Sequence, residues 1–539
     1  MPIDPDPDWW RDAVVYQVYP RSFADGNGDG VGDLPGLVSR LPHLAELGVD
    51  ALWISPWYRS PMADAGYDVA DYRDIDPLFG TLADADKLLA TAHGLGLRVI
   101  IDIVPNHCSD QHPWFRAAVA AGPGSAERGR FHFRPGGGAD GDEPPNDWPS
   151  AFGGPAWTRV TGADGAPEEW YLHLFSPGQP DVNWDHPEVR AEFESILRFW
   201  FERGVDGFRI DVANLLVKQE GLPSRAPIEA AGGASPYEDR PEVHDVYRAW
   251  RRIADSYVGT RIFVGELWVG PESLKRYLRP DELHTGFNFP YLQAAWQATA
   301  LRSIIDATIA QHAEVGAPPT WVLGNHDVTR VVTRYGREVT SWAEPAGRLA
   351  VPADLELGTR RARAAALLYL ALPGCAYVYQ GEELGLWEVE DIPAELRQDP
   401  TFFQTEGRNP GRDGCRVPLP WEADEPWFGF GATGVAEPWL PQPEAWHAYA
   451  ADAQAGDPRS MLALYGDAIR LRRSIDGELT WAESSADVLR FRRGSGFECV
   501  VNFGPEPVPL PAAVELLLGS APIPDGVLLP TDTAVWLRR

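Results

Sequence analysis

RVIIDIVPNH, residues 98–107, is the stretch from which the fold can be read. It begins as a short β-branched run and ends in polar residues, Asp102, Asn106 and His107. The amphipathic stretch ADKLLATAHGLGL runs directly into it. A run this short and this apolar suits a strand of a parallel sheet, buried on both faces. The same signature recurs seven more times: VVYQVYP (14–20), DALWISP (50–56), GVDGFRID (204–211), RIFVGEL (261–267), HTGFNF (284–289), PTWVLGNHD (319–327) and CAYVYQGEEL (375–384). Helical patterns lead into many of these strands. Eight β/α units can close into a (β/α)₈ TIM barrel, whose strand C-termini form the functional face. Acids, amides and histidines gather at those ends: Asp102, Asn106, His107, Arg209, Asp211, Glu266, Asn325, His326, Asp327, Gln380 and Glu382.

Two regions depart from the β/α rhythm. Residues 105–178 are rich in glycine, proline and aromatics and read as a subdomain inserted after the third strand. After about residue 456 short alternating stretches such as DVLRFRR and FECVVNFG predict a C-terminal antiparallel β domain. The expected division is therefore barrel 1–104, insertion 105–178, barrel 179–455 and C-terminal domain 456–539.

Composition narrows the function. The chain has 539 residues, 44% of them hydrophobic, and a formal charge of -31. That hydrophobic share supports a large core and excludes global disorder. The acidic balance opposes nucleic acid and anionic membranes and suits a neutral ligand. MPIDPDPDWW at the N-terminus has no basic-then-apolar signal pattern, and no apolar run is long enough for a membrane span. Cys108, Cys375, Cys415 and Cys499 lie far apart, with no zinc-type pairing. Free thiols and a cytoplasmic setting are expected.

Asp211, Glu266 and Asp327 stand at the ends of strands four, five and seven. Retaining glycoside hydrolysis needs two carboxyl groups, one to attack the anomeric carbon and one to protonate the leaving oxygen. A third carboxylate can bind sugar hydroxyls. Arg209 lies two residues before Asp211, so both face the same side of the strand, where a cation favours the ionised nucleophile. Val264 and Leu267 beside Glu266 suit an acid that must hold its proton. Cys108, next to His107, reads as a buried, inert thiol.

These segments resemble the signature regions of the α-amylase superfamily, glycoside hydrolase family 13: DIVPNH (102–107), GFRIDVAN (207–214), VGEL (264–267) and GNHD (324–327). QPDVNW (179–184), AGYDVADY (65–72), YQGEELG (379–385) and GRDGCRVPLPW (411–421) resemble its oligo-1,6-glucosidase and α-glucosidase branch. The resemblance implies Asp211 as nucleophile, Glu266 as acid/base and Asp327 as a ligand of the 2- and 3-hydroxyls. It implies further that Arg209, His107 and His326 complete the glucose site and that Tyr67 stacks on the sugar. Asp68 and Arg412 would grip its far end, which implies removal of one glucose at a time from a small oligosaccharide. Val212 stands at a position associated with linkage choice, valine often with α-1,6 bonds. The segments PDELHTGFNFP and GRDGCRVPLPW look more like α-1,4 enzymes acting on maltose. Transglucosylation and sugar isomerisation use the same three acids, and silent scaffold relatives usually lack part of that set.

DGNGDGVGD, residues 25–33, has the front half of a calcium loop. A sensor loop needs a bidentate glutamate at its twelfth position, which here is Gly36. The expectation is a structural Ca²⁺ or Mg²⁺ clip held by Asp25, Asn27, Asp29, Asp33 and the Val31 carbonyl, as in the resembled branch. No organic cofactor is expected, and the sequence leaves oligomeric state open.

Overall fold

A computed structural model describes residues 6–342, 351–431, 436–494, 496–511, 515–523 and 526–539. All eight expected strands form: β1 (Val14–Val18), β2 (Ala51–Ile54), β3 (Arg98–Ile103), β4 (Gly207–Ile210), β5 (Ile262–Gly265), β6 (Thr285–Gly286), β7 (Thr320–Val322) and β8 (Cys375–Tyr379). They pair in parallel, in the order β6-β5-β4-β3-β2-β1-β8-β7. No strand pairing joins β6 to β7, but the Thr285 and Thr320 hydroxyls meet there, so the barrel is nearly closed.

Strand periodicity explains how one short run serves two purposes. Val14, Tyr16, Leu52, Ile54, Val99, Ile101, Phe208, Ile210 and Phe263 point outward into the core beneath the helices. Their alternates Val15, Ala51, Trp53, Ile100, Ile262, Val264, Cys375 and Tyr377 fill the barrel interior, with Trp9 and Trp10 in the same cluster. Burial on both faces is why the strands read as continuous apolar runs. Further along the inward column the residues turn polar: Gln17, Asp102, Arg209, then Asp211 and Glu266 just past their strands.

The surrounding helices include Leu34–Leu47, Leu82–Gly94, Pro187–Arg203, Val243–Ala254, Ala298–Val315, Leu355–Leu370 and Met461–Arg472. The last follows β8 in the β/α order and packs against Leu34–Leu47 and Leu355–Leu370. It lies inside the range expected for the C-terminal domain, yet completes the barrel. The C-terminal sheet begins later, at Leu479–Trp481, and continues through Val488–Arg493, Phe497–Asn502, Thr533–Arg538 and Glu515–Gly519 in that antiparallel order. Between β3 and Pro187 the insertion builds its own three-stranded sheet from Phe133–Arg134, Trp157–Thr161 and Pro167–Leu172. Trp148 and Trp157 fill a small core beneath it, so Trp157 is a packing residue. Among the described residues no helix is long and apolar enough to cross a membrane.

Loop 25–33 is pinned at both ends. Asp33 caps helix Leu34–Leu47 by accepting from the Gly36 N–H at 2.7 Å. The Asp25 N–H donates to the Phe430 carbonyl at 2.8 Å, and Gly30 lies against Glu437 at a φ of 88°.

Candidate active site

Arg209 is the centre of the barrel mouth. In register it lies between Asp102 on β3 and Val264 on β5. The ladder continues past the strand ends: the Asp211 N–H reaches the Ile103 carbonyl at 2.9 Å and the Glu266 N–H reaches that of Ile210 at 3.0 Å. Backbone pairing thus fixes both carboxylates relative to the arginine. Arg209 Nη1 donates to Asp211 Oδ1 and Asp102 Oδ1, each at 2.8 Å, and Nη2 donates to Glu266 Oε2 at 2.5 Å. All four groups are buried.

Three carboxylates therefore face one guanidinium. Burial raises Asp211, and its neighbours Glu266 and Asp102 add to the rise against the pull of Arg209. Burial likewise pushes Asp102 up to about 6. Like charges this close cannot all ionise cheaply, so Asp211 and Asp102 hold protons that isolated aspartates would release.

Val212, next after Asp211, has a φ of 38°. Left-handed backbone at a β-branched residue is strained, and such strain persists where surrounding structure over-determines it. The turn aims the Val212 N–H at Glu266 Oε2, 3.1 Å away. Val212 therefore couples the two acids through its backbone, which its side chain alone did not signal.

Asp327 follows β7. Arg412 Nη1 donates to its Oδ1 at 3.0 Å and Arg416 Nη2 to the same atom at 2.9 Å. Burial opposes ionisation of Asp327, but the Arg412 and Arg416 guanidiniums outweigh it and hold the carboxyl far below its ordinary range. Its side chain is 31% exposed, open to the mouth. His326 stacks on Tyr67 at 5.4 Å between centroids, with Nε2 2.7 Å from the tyrosine hydroxyl and Nδ1 2.7 Å from Gln17 Nε2. Burial lowers His326 to about 3, so the ring is neutral. The Tyr67 hydroxyl also donates to Asp102 Oδ2 at 3.3 Å.

Arg412 does not meet Asp68. The Asp68 carboxylate turns into its own loop and accepts from Ser60 Oγ at 2.8 Å, the Ala63 N–H at 2.9 Å and the Asp64 N–H at 3.0 Å. The partner of Arg412 in that loop is Asp64, at 2.8 Å. Left-handed backbone at Ala65 and Gly66 separates the two acids, so the residue at the site is Asp64 and Asp68 shapes the turn. Nothing in AGYDVADY distinguished the roles. Arg412 Nε is held at 2.5 Å by Asp399, a buried acid that the sequence did not single out. Phe152 from the insertion lies under the Arg412 guanidinium at 5.6 Å.

His107 is buried behind this wall. Its Nε2 lies 3.1 Å from Gln179 Nε2, which also donates to Asp64 Oδ2 at 3.1 Å. Burial lowers His107 to about 4. Tyr67, His107, Arg209, Asp211, Glu266, His326, Asp327 and Arg412 thus converge, joined by Gln17, Asp64, Asp102 and Arg416. Gln380 serves the fold, accepting from the Tyr19 N–H at 2.7 Å. Burial raises the Cys108 thiol, which leaves it unreactive.

In loop 25–33 the oxygen side chains are engaged with the loop's own amides. Asp25 accepts from the N–H groups of Asn27, Gly28 and Gly30, Asn27 from that of Asp29, and Asp29 from that of Val31. Among the described residues no three His, Cys, Asp or Glu side chains converge as a metal site. The donors are all hard oxygens, and Asp33 Oδ2 is buried without a hydrogen-bond partner.

Residues 17–479 match the family model for the α-amylase catalytic domain, and residues 473–536 match a domain of unknown function, DUF3459. The chain is 38% identical over 536 residues to a probable α-glucosidase of Rhizobium meliloti (strain 1021), covering 94% of this chain and 91% of the relative. It is 35% identical over 504 residues to the oligo-1,6-glucosidase of Parageobacillus thermoglucosidasius, covering 87% and 84%. Among solved structures it resembles the α-glucosyl transfer enzyme XgtA, with a TM-score of 0.82, 35% identity and coverage of 98% and 99%. An acid cluster built on one arginine at the mouth of a (β/α)₈ barrel, together with these matches, shows that the chain belongs to the α-amylase family, glycoside hydrolase family 13.

Proposed function

We propose that the protein is a retaining, exo-acting α-glucosidase that releases glucose from the non-reducing end of short α-1,4-linked substrates such as maltose. The observation that carries this reading is the Arg209 fork, which holds Asp211 and Glu266 on the two terminal nitrogens of one guanidinium. So short a bridge suits the carboxyl spacing of roughly 5 Å used by retaining enzymes. Asp211 attacks the anomeric carbon while Glu266 protonates the leaving oxygen. Glu266 then takes a proton from the water that cleaves the glucosyl-enzyme. Asp327, held ionised by Arg412 and Arg416, accepts hydrogen bonds from the sugar hydroxyls. Neutral His326 and His107 serve the same sugar, and Tyr67 stacks on it.

The Asp64–Arg412 pair, backed by Asp399 and with Phe152 beneath the guanidinium, would wall off the far end of the glucose site. A closed end supports removal of a single terminal glucose. The motif resemblance supports α-1,4 preference, and the relative named as a probable α-glucosidase supports glucosidase activity. Val212 and the oligo-1,6-glucosidase relative favour the second reading, cleavage of isomaltose-type bonds, and the likeness to XgtA favours glucosyl transfer. A panel of maltose and isomaltose, with product analysis at high maltose, separates the three. Faster turnover of isomaltose overturns the α-1,4 assignment, and oligosaccharide products overturn simple hydrolysis. Asp211→Asn should abolish turnover; a fully active variant would remove the nucleophile assignment.

We also propose that loop 25–33 takes a structural Ca²⁺ or Mg²⁺, supported by its all-oxygen donor set and the unpartnered Asp33 Oδ2. Chelation should then lower the melting temperature, and metal analysis of purified protein should find the ion. The four free, buried thiols fit a reducing cytoplasm.

A further inference from the structure

Trp268 lies two residues beyond Glu266, at the rim of the mouth, and is 44% exposed. Despite that exposure the ring is fixed. It stacks on Phe289 at 3.7 Å between centroids with 9° between planes, and Trp342 lies 6.2 Å away. Its indole Nε1–H donates to Glu266 Oε1 at 3.1 Å.

The two oxygens of Glu266 are therefore not equivalent. Oε2 accepts from Arg209 Nη2 at 2.5 Å and from the Val212 N–H at 3.1 Å. Both partners are donors only, so a proton on Oε2 would face them without an acceptor. Among the described residues Oε1 has one hydrogen-bond partner, the Trp268 indole. A proton carried by Glu266 thus belongs on Oε1. Among the described residues the charged groups around the carboxyl are Arg209, Asp211 and Asp102, all on the β3 and β4 side. On the opposite side Trp268, Phe289 and Trp342 carry no charge.

We propose that Trp268 is a positioning residue that, through its N–H on Oε1, sets how readily Glu266 releases and recovers its proton. The inference rests on the acid/base role proposed above. In the first half-reaction the Oε1–H bond breaks, its proton goes to the glycosidic oxygen, and that oxygen leaves carbon as Asp211 bonds to it. The negative charge left on Oε1 is stabilised by the indole N–H. In the second half-reaction Oε1 takes a proton from water, and the same hydrogen bond must yield. A donor to the charged form favours that form. Trp268 therefore promotes proton release and holds the alkaline limit of turnover low.

The test is Trp268→Phe, which retains an aromatic ring on Phe289 but has no N–H. Benzothienylalanine at the same position is a second variant that keeps the bicyclic shape and also lacks the donor. The alkaline limb of kcat/KM for an aryl α-glucoside should move up by about half to one pH unit in both. A structural role alone would lower kcat or stability and leave the limb in place. Protonation is read without turnover from the carboxyl infrared band that Glu266→Gln removes, which should titrate at correspondingly higher pH in both variants. An unmoved or lowered band overturns the proposal, whereas an inactive parent with a raised band in the variants overturns the glucosidase reading alone.

Discussion

Replacing Lys218 with methionine should cost the fold about 3 kcal/mol, near the low end of the roughly 3–5 kcal/mol for breaking a buried ion pair from one side. The Lys218 and Asp181 side chains are both 0% exposed, with Nζ 2.8 Å from Asp181 Oδ2. The ammonium also donates to Asn106 Oδ1 and the Leu215 carbonyl, each at 2.6 Å. Burial lowers the lysine and Asp181 opposes that shift. Methionine keeps most of the volume but leaves the Asp181 charge without its cation. The low end applies because Asp181 keeps two donors, the Leu174 N–H at 2.9 Å and Asn106 Nδ2 at 3.1 Å. The pair ties the segment after the insertion to the ends of β3 and β4, so its loss should also loosen His107. Removing both charges in Lys218→Met/Asp181→Leu should cost at least about 2 kcal/mol less than the two single changes added together, because neither charge is stranded. Urea unfolding followed by tryptophan fluorescence measures all three variants. A single-variant cost below about 1 kcal/mol, or strict additivity in the double variant, would refute the reasoning.

Glu382, Glu383 and Glu388 are each pushed by burial to about 7, against roughly 4.3 for an unfolded glutamate. The folded state binds these protons more tightly, so their stabilisation is complete below the unfolded value and is lost as pH rises through 7. Glu382→Gln, whose carbonyl still accepts from Tyr369 and Tyr465, should lose less stability between pH 5 and pH 8 than the parent. Identical slopes in urea unfolding across that range would contradict this. Arg412→Gln removes charge-assisted bonds to Asp64, Asp327 and Asp399 and should lower kcat/KM on maltose about a hundredfold. A change below about threefold would show that the end wall does not serve the substrate. Gly30→Ala puts a methyl 2.2 Å from the Glu437 carbonyl oxygen at a φ of 88°, and should destabilise the loop by more than about 1 kcal/mol. Unchanged thermal unfolding would count against that tight docking.

What the sequence by itself determined was whatever depends on local periodicity. Short, nearly continuous apolar runs, buried on both faces, made the eight barrel strands legible, and the two-residue strand period put Arg209 and Asp211 on one side of β4. The polar ends of the strands pointed to the functional face, and joint motif order named the family. The boundary of the C-terminal domain was less legible because helix Met461–Arg472 belongs to the barrel through packing against residues distant in sequence. Tertiary structure alone decided which acids meet which cations. Asp64 and Asp68 are equivalent as text, and a left-handed turn at Ala65 and Gly66 sends only Asp64 to Arg412. Asp399 and Arg416 reach the site from the segment after β8, and Trp53 reaches Asp102 from the neighbouring strand β2, its Nε1 3.0 Å from Oδ2. The indole on Glu266 and the strained Val212 amide came to light in the same way. Hydrogen bonds act over about 3 Å and ion pairs over about 4 Å. Those separations are set by chain closure and packing, whereas strand identity is set by neighbours one and two residues away.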